Sequence, residues 1–85
     1  MYGGWKITEA YLLLNTKIGS ENEVLNALKE IDGVQEAFNL WGVYDIIARI
    51  KVDTTEKLKD IVNTKLPNVL LHSKLTVITT DTLNL

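Results

Sequence analysis

The side chains best suited to chemistry in this chain are concentrated between residues 40 and 45, which read Leu-Trp-Gly-Val-Tyr-Asp. The Asp45 carboxylate can pair with an ammonium group, and backbone amides freed by a turn at Gly42 can bind a carboxylate. The Trp41 indole can wall a pocket, or it can pack in an interface between proteins, where tryptophan is enriched. The segment therefore offers groups for a small ligand that carries both charges.

Structural roles explain the same residues equally well. Gly42 can serve the turn alone, and Tyr44 can belong to the core because it starts a strand on its apolar side. Asp45 can cap the turn or pair with Arg49 or Lys51 across the sheet. The residue types by themselves leave the ligand-binding and structural interpretations open.

His72 is the only histidine, and alternation places Lys74 on the same strand face. A metal site would need further ligands, such as Asp45, Glu36 or His72 from a second subunit. We expect no metal and no cofactor, and His72 is retained as a candidate ligand contact.

An enzyme is an alternative, because small dimeric proteins catalyse oxygenation or isomerisation without a cofactor. The residue types that such enzymes use are present in Asn39, Trp41, Tyr44 and His72. A general base needs a neighbour that orients it and tunes its pKa, and no such pair stands at a recognisable spacing. We therefore expect a protein that is not an enzyme.

Composition limits the remaining function classes. The 85 residues suffice for one domain with a modest core, and a content of 46% apolar and 24% charged residues is typical of a globular protein. The net charge of −2, with lysines scattered along the chain, gives no basic stripe for nucleic acid. The absence of cysteine excludes disulfides, iron–sulfur clusters and thiolate metal sites. The chain shows no signal peptide and no apolar run of about 20 residues, so we expect a cytoplasmic protein without membrane contact.

Hydrophobic patterning in the first half predicts a strand, a helix and a second strand. Residues 7 to about 16 carry apolar side chains on both faces, as in a covered strand. Ser20 and Glu23 form a capping box before a helix, for which Gly33 is the expected C′ residue. Residues 34–40 alternate as a strand, although Glu36 interrupts its apolar face.

The second half repeats this order. Residues 44–52 alternate cleanly as a strand, and Asp53 is the expected cap of a second helix that Pro67 ends. A last strand is predicted from about Val69 to Thr80. The order β-α-β-β-α-β predicts an α+β, ferredoxin-like fold: a four-stranded antiparallel sheet with two helices on one face.

The other face of this sheet needs a cover that the helices do not provide. Tyr11, Leu13 and Ile47 are predicted to lie on this open face, together with charged residues. We expect a second copy to pack there, which gives a homodimer of the dimeric α+β barrel type. The alternative is a monomer with a partly hydrated sheet face.

Three local motifs in register resemble the effector-binding domain of the Lrp/AsnC family of transcription regulators, also called the RAM domain. They are Asp32-Gly33-Val34, then Gly42-Val43-Tyr44-Asp45, and Leu66-Pro67-Asn68-Val69 where the family has Leu-Pro-Gly-Val. The resemblance covers residues 7 to about 80, the core of a single domain spanning 1–85. Since no DNA-binding helices precede it, the chain is similar to a stand-alone member of the family.

The resemblance implies a function in transcription regulation or metabolic sensing. It implies dimers that assemble into even-numbered rings, with a small effector, usually an amino acid, bound near the central turn. The site residues that it implies, together with the unmatched His72, are Trp41, Gly42, Val43, Tyr44, Asp45 and His72. It implies no DNA binding by the chain itself. Full-length Lrp/AsnC regulators are possible partners, and a pure assembly module for them is the third alternative.

Overall fold

The chain folds in the β-α-β-β-α-β order that its sequence predicts. The computed structural model describes residues 7–79, so the predicted strand end near Thr80 and the expectation for residues 1–6 fall outside it. The main elements are β1 Thr8–Thr16, α1 Glu21–Lys29, β2 Val34–Asn39, β3 Ile46–Val52, α2 Thr55–Asp60 and β4 Leu71–Ile78. All pairings are antiparallel in the order β2-β3-β1-β4. The ferredoxin-like prediction is confirmed.

The core lies between the sheet and the two helices. Alternate residues of β1 face the helices, and Leu12 and Leu14 are fully buried there, as are Val24 and Leu28 of α1. The cluster of buried side chains comprises Ala10, Leu12, Leu14, Val24, Leu28, Ala37, Ile46, Ala48, Ile50, Leu58, Ile61 and Leu66. Tyr11, Leu13 and Ile47 are only partly buried, as predicted for the open face. Among the described helices, none is long and apolar enough to cross a membrane.

The strand β2 departs from simple alternation. A register shift between Val34 and Glu36 places Val34 opposite Ile50, on the helix side, but Glu36 opposite Arg49, on the open face. The expectation that Val34 and Phe38 share one face is therefore wrong. Glu36 does share a face with Phe38, as predicted, and on that open face it lies opposite its basic partner Arg49.

The helix starts differ from the capping predictions. Ser20 is the N-cap residue of α1, but its side chain makes no capping hydrogen bond. The N-cap of α2 is Thr54, not Asp53, and its hydroxyl accepts a bond from the Lys57 N–H. Asp53 instead pairs with the Lys57 ammonium at 2.7 Å. The position of the first cap is therefore confirmed but its capping bond is not, and the second helix begins one residue later than an Asp53 cap predicts.

The helix ends are shaped by Gly33 and Pro67. Gly33 adopts a left-handed φ of +99°, but it lies beyond the C′ position because Glu30 is the C-cap. The second helix continues past α2 as a π-helical turn, Ile61–Lys65, closed by a 3.0 Å bond from the Leu66 N–H to the Ile61 carbonyl. Leu66 is extended, as the following Pro67 requires. A 3₁₀ turn, Asn68–Leu70, then replaces the predicted start of the last strand.

Candidate functional site

The predicted ligand-binding residues from 41 to 45 lie in the turn between β2 and β3. The turn is closed by a 2.7 Å hydrogen bond from the Leu40 N–H to the Asp45 carbonyl. Trp41 is fully exposed and Val43 nearly so, whereas Tyr44 is half-buried. Gly42 does not adopt a left-handed conformation, and a Cβ added there would meet nothing within 4 Å. The Trp41 indole therefore points away from the core of the chain.

Asp45 fastens this turn to the end of β1. Its Oδ2 accepts a 2.8 Å bond from the Thr16 N–H and a 3.3 Å bond from the Thr16 hydroxyl. Its own N–H donates to the Leu14 carbonyl at 2.9 Å. The alternative that Asp45 pairs with Arg49 is not realised, because the Arg49 guanidinium binds two other carboxylates.

Thr16 and Glu21 belong to this site, and the sequence reasoning missed both. Thr16 is only 5% exposed, and its hydroxyl lies 3.3 Å from the Glu21 Oε1 as well as 3.3 Å from the Asp45 Oδ2. A hydroxyl has one proton, so it can donate to one of these carboxylates at a time. The available signal was the strand period, since Thr16 continues the buried series of Leu12 and Leu14.

His72 lies at the same end of the sheet as the turn but not against it. It falls in the irregular pairing between Thr16↔Leu71 and Asn15↔Ser73, and its side chain is exposed. The strand β1 separates β4 from β3. Residues 41–45 are therefore close together because they are consecutive in the chain. His72 is separated from them by the width of the strand β1.

The alternative metal ligands are engaged elsewhere. Asp45 binds Thr16, and Glu36 binds Arg49. Within residues 7–79, no group of three or more acidic, histidine or cysteine side chains is arranged to hold a metal ion.

One row of apolar side chains, one from each strand, crosses the open face of the sheet. The β2, β3, β1 and β4 members of this apolar stripe are Phe38, Ile47, Leu13 and Leu75. Phe38 is 54% exposed and Leu75 is 44% exposed. On one side the neighbouring residues are Asn15 and Ser73, whose side chains are joined by a 3.2 Å hydrogen bond. On that side the stripe therefore has polar neighbours.

Ionic contacts border the stripe on its other side. Arg49 Nε donates to Glu36 at 2.9 Å, and Arg49 Nη1 donates to Glu9 at 3.2 Å. The hydrogen bonds to Glu36 and then Glu9 raise the pKa of Arg49 above its ordinary value, so the guanidinium stays charged. A shallow cavity of about 50 Å³ lies between this ion cluster and the stripe, lined by Tyr11, Glu36, Phe38, Ile47 and Arg49.

A larger groove of about 640 Å³ lies at the opposite end of the sheet from the turn. It has an apolar floor that includes Val52 and Ile61, and a rim of mixed charge that includes Asp32 and Lys51. None of the predicted site residues lines it. Its charges do not select one class of ligand, so we regard the turn rather than the groove as the candidate functional site.

Comparison with known proteins identifies the fold and the domain type. The family described as the Lrp/AsnC ligand binding domain matches residues 9–80. No curated protein sequence gives a match. The crystal structure of FFRP-DM1 is similar at 28% identity, with a TM-score of 0.81, over 86% of this chain and 99% of that chain.

Two regulators share the fold at lower identity. AsnC of E. coli aligns at 19% identity with a TM-score of 0.82, over 96% of this chain and 56% of that chain. The transcriptional regulator NMB0573 of Neisseria meningitidis, determined as a complex with L-Met, aligns at 12% identity with a TM-score of 0.76. That alignment covers 91% of this chain and 52% of the regulator. This chain therefore spans about half the length of these two proteins.

Proposed function

This chain belongs to the Lrp/AsnC ligand-binding domain family, and from that premise we propose that it binds a small effector of the amino-acid class. It acts in this proposal as a transcriptional co-regulator or metabolic sensor. The observation that carries the proposal is the turn at residues 41–45, whose carboxylate is held in place by two hydrogen bonds from Thr16.

The chemistry of the turn supports an amino acid as the effector. Both bonds from Thr16 reach the Oδ2 of Asp45, so its Oδ1 is the oxygen offered to the ammonium group of a ligand. The backbone amides around Gly42 are the candidate donors to the ligand's carboxylate. The L-Met complex of NMB0573 is consistent with this class of ligand, although it is a distant relative.

The proposed site is completed by a second molecule. Trp41 and Val43 are exposed in the single chain, so they can enclose a ligand only when another surface covers them. We assign that surface to another dimer in an even-numbered ring. His72, at the same end of the sheet, is the proposed contact from outside the turn.

The dimer itself is proposed to form through the apolar stripe. Phe38 and Leu75 at its two ends are about half exposed, and packing two sheets face to face removes this apolar surface from water. The ion cluster around Arg49 then lies at the edge of the contact, where it can remain hydrated. This arrangement corresponds to the dimeric α+β barrel expected from the sequence.

The proposed role needs no catalysis and no direct DNA contact. The chain has a net charge of −2, which disfavours binding to phosphates, so regulation would act through effector-dependent assembly. Full-length Lrp/AsnC regulators are the proposed partners, and the cytoplasm is the proposed location. A pure assembly module is a second candidate, which the full exposure of Trp41 favours because an interface alone explains it.

Native mass spectrometry and thermal unfolding with each of the twenty L-amino acids test the proposal. A bound effector at 100 times its Kd stabilises the native state by about 2.7 kcal/mol, so a true ligand raises the Tm. We expect one or a few amino acids to bind and Trp41→Ala to weaken that binding at least tenfold. Lys51→Ala, in the distant groove, is the matched control and should leave the affinity unchanged.

Two results would contradict this assignment. Binding that Lys51→Ala weakens and Trp41→Ala does not would move the site to the groove. If no amino acid binds to the wild type and Trp41→Ala only reduces the size of the assembly, the assembly module is the correct function.

A further inference from the structure

The groove at the end of the sheet opposite the turn lies on the helical side, between the end of α1 and the second helix. Ile31, Val52 and Ile61 form its apolar floor. A Cβ added at Gly33 would lie 2.8 Å from the Val52 Cγ1 and 3.3 Å from the Ile61 Cδ1, so a side chain there would fill part of the floor. Ile31 and Val52 are only partly buried. The floor is therefore an apolar surface that residues 7–79 do not fully cover.

The rim of this groove carries one more negative than positive charge. Its charged residues are Glu30, Asp32, Asp53 and Asp60 against Lys51, Lys57 and Lys65. The Lys57 ammonium pairs with the Asp53 carboxylate at 2.7 Å, which leaves three carboxylates and two ammonium groups. An occupant that has large apolar side chains and one positive charge would therefore match the groove in both polarity and charge.

The strand β1 begins next to the groove. Thr8 lies directly opposite Val52, which is the last residue of β3 and part of the floor. The Lys51 N–H donates to the Gly33 carbonyl at 2.8 Å, so Gly33 lies one strand further from β1. About 10 Å, or two strand spacings, therefore separates Thr8 from the far side of the floor. Six residues extend to about 20 Å, so residues 1–6 are long enough to cross the groove.

We propose that residues 1–6 dock in this groove of their own chain, with the Trp5 indole on the floor and the Lys6 ammonium at the acidic rim. The segment reads Met-Tyr-Gly-Gly-Trp-Lys, which combines two aromatic side chains with one cationic side chain. A tryptophan removes a large apolar area from water when it is buried. The groove and the apolar stripe are on opposite faces of the sheet, so the proposed dimer leaves the groove accessible.

Residues 80–85 match the groove less well. The Thr79 N–H donates to the Glu9 carbonyl at 2.9 Å, so this segment starts at the same end of the sheet. It follows β4, which is one strand further from the groove than β1. Its sequence, Thr-Asp-Thr-Leu-Asn-Leu, contains a carboxylate but no basic and no aromatic residue. The excess negative charge of the rim would repel this carboxylate, so charge and distance both favour residues 1–6.

The fluorescence of Trp5 tests the docking. Trp41→Phe leaves Trp5 as the only tryptophan of the chain. We expect its emission maximum to lie at a shorter wavelength in the native protein than in urea, because the docked indole is removed from water. Val52→Glu places a charge on the floor and should shift the native emission toward the unfolded value without changing the circular dichroism. Asn26→Glu, on the exposed side of α1, is the matched control and should leave the emission unchanged.

Disulfide trapping tests the position of the segment, and it does not depend on whether Val52→Glu folds. The chain contains no cysteine, so a pair of cysteines can be introduced without competing thiols. Asp32 lines the groove, whereas Asn22 is exposed at the other end of α1. We expect Gly4→Cys to form a disulfide within one chain at least tenfold faster with Asp32→Cys than with Asn22→Cys.

Other outcomes overturn the proposal. The same Trp5 emission in the native and unfolded protein, or equal trapping rates for the two cysteine pairs, would show that the segment does not dock. A disulfide between two chains would make a second copy the occupant. Faster trapping of Thr82→Cys with Asp32→Cys would assign the groove to residues 80–85. Amino-acid binding at the turn is measured separately, so its failure is distinguishable from these results.

Discussion

Asp45 and Thr16 stand 29 residues apart in the sequence and share two hydrogen bonds, from the Thr16 N–H at 2.8 Å and from its hydroxyl at 3.3 Å. Thr16 is almost fully buried, so its N–H has lost most access to water. The Asp45 carboxylate of the β2–β3 turn therefore has a structural role, because it accepts the hydrogen bonds of the last residue of β1. Its proposed contact with a ligand adds to this structural role.

Replacing Asp45 is expected to destabilise the fold even without a ligand. Asp45→Ala leaves the buried Thr16 N–H without its acceptor, which costs about 1–3 kcal/mol in the free energy of unfolding. Asp45→Asn keeps an oxygen acceptor and should cost less. Chemical denaturation measures both free energies of unfolding. Asp53→Ala is the control: it removes an exposed ion pair and should lower the free energy of unfolding by less than about 1 kcal/mol. Equal stabilities for Asp45→Ala and the wild type would show that this bond does not anchor the turn.

Alanine substitutions at three glycines should differ in cost. Gly33 has a φ of +99°, and an added Cβ would lie 2.8 Å from the Val52 Cγ1, so Gly33→Ala should cost about 2 kcal/mol or more. Gly19 has a φ of +83° with open space around it, so Gly19→Ala should cost about 1 kcal/mol. Gly42→Ala should change stability by less than about 0.5 kcal/mol, since its φ is ordinary and its surroundings are empty. Thermal unfolding gives the ranking, and a large loss at Gly42 would contradict the turn geometry.

The two helix N-caps should respond unequally to loss of their hydroxyls. Thr54→Ala removes the acceptor for the Lys57 N–H and should cost about 1 kcal/mol. Ser20→Ala should be close to neutral, because the Ser20 side chain makes no capping bond. The two variants serve as each other's controls in urea unfolding. A greater loss for Ser20→Ala would support the capping box that the sequence suggests.

A charge at one end of the apolar stripe should dissociate the proposed dimer. Phe38→Glu places a carboxylate on the apolar surface that the partner would bury, and an unpaired buried charge is strongly disfavoured. We expect a monomer by sedimentation, with circular dichroism like that of the wild type. Asn26→Glu, which adds the same charge on the exposed side of α1, should remain a dimer. A dimeric Phe38→Glu variant would exclude the stripe as the interface.

Local patterns predicted the elements well where one signal dominated. The alternation along β3 placed its buried residues correctly, because one buried face imposes a strict period of two. Pro67 ended the second helix, since the ring restricts the residue before it. The prediction failed in β2, where an irregular pairing with β3 reversed the side-chain alternation after Val34. An extra residue in a strand leaves no reliable trace in hydrophobicity alone.

Some features of the candidate site follow from the sequence, and others follow only from the tertiary structure. The sequence by itself determined the composition of the turn, the order of the elements and the motifs shared with the Lrp/AsnC family, because all three are properties of neighbouring residues. Only the tertiary structure decided that Asp45 binds Thr16 and that Arg49 binds Glu36 and Glu9. It also placed His72 one strand away from the turn. These relationships depend on strand order and register, which are set by the packing of the whole sheet and by no single segment.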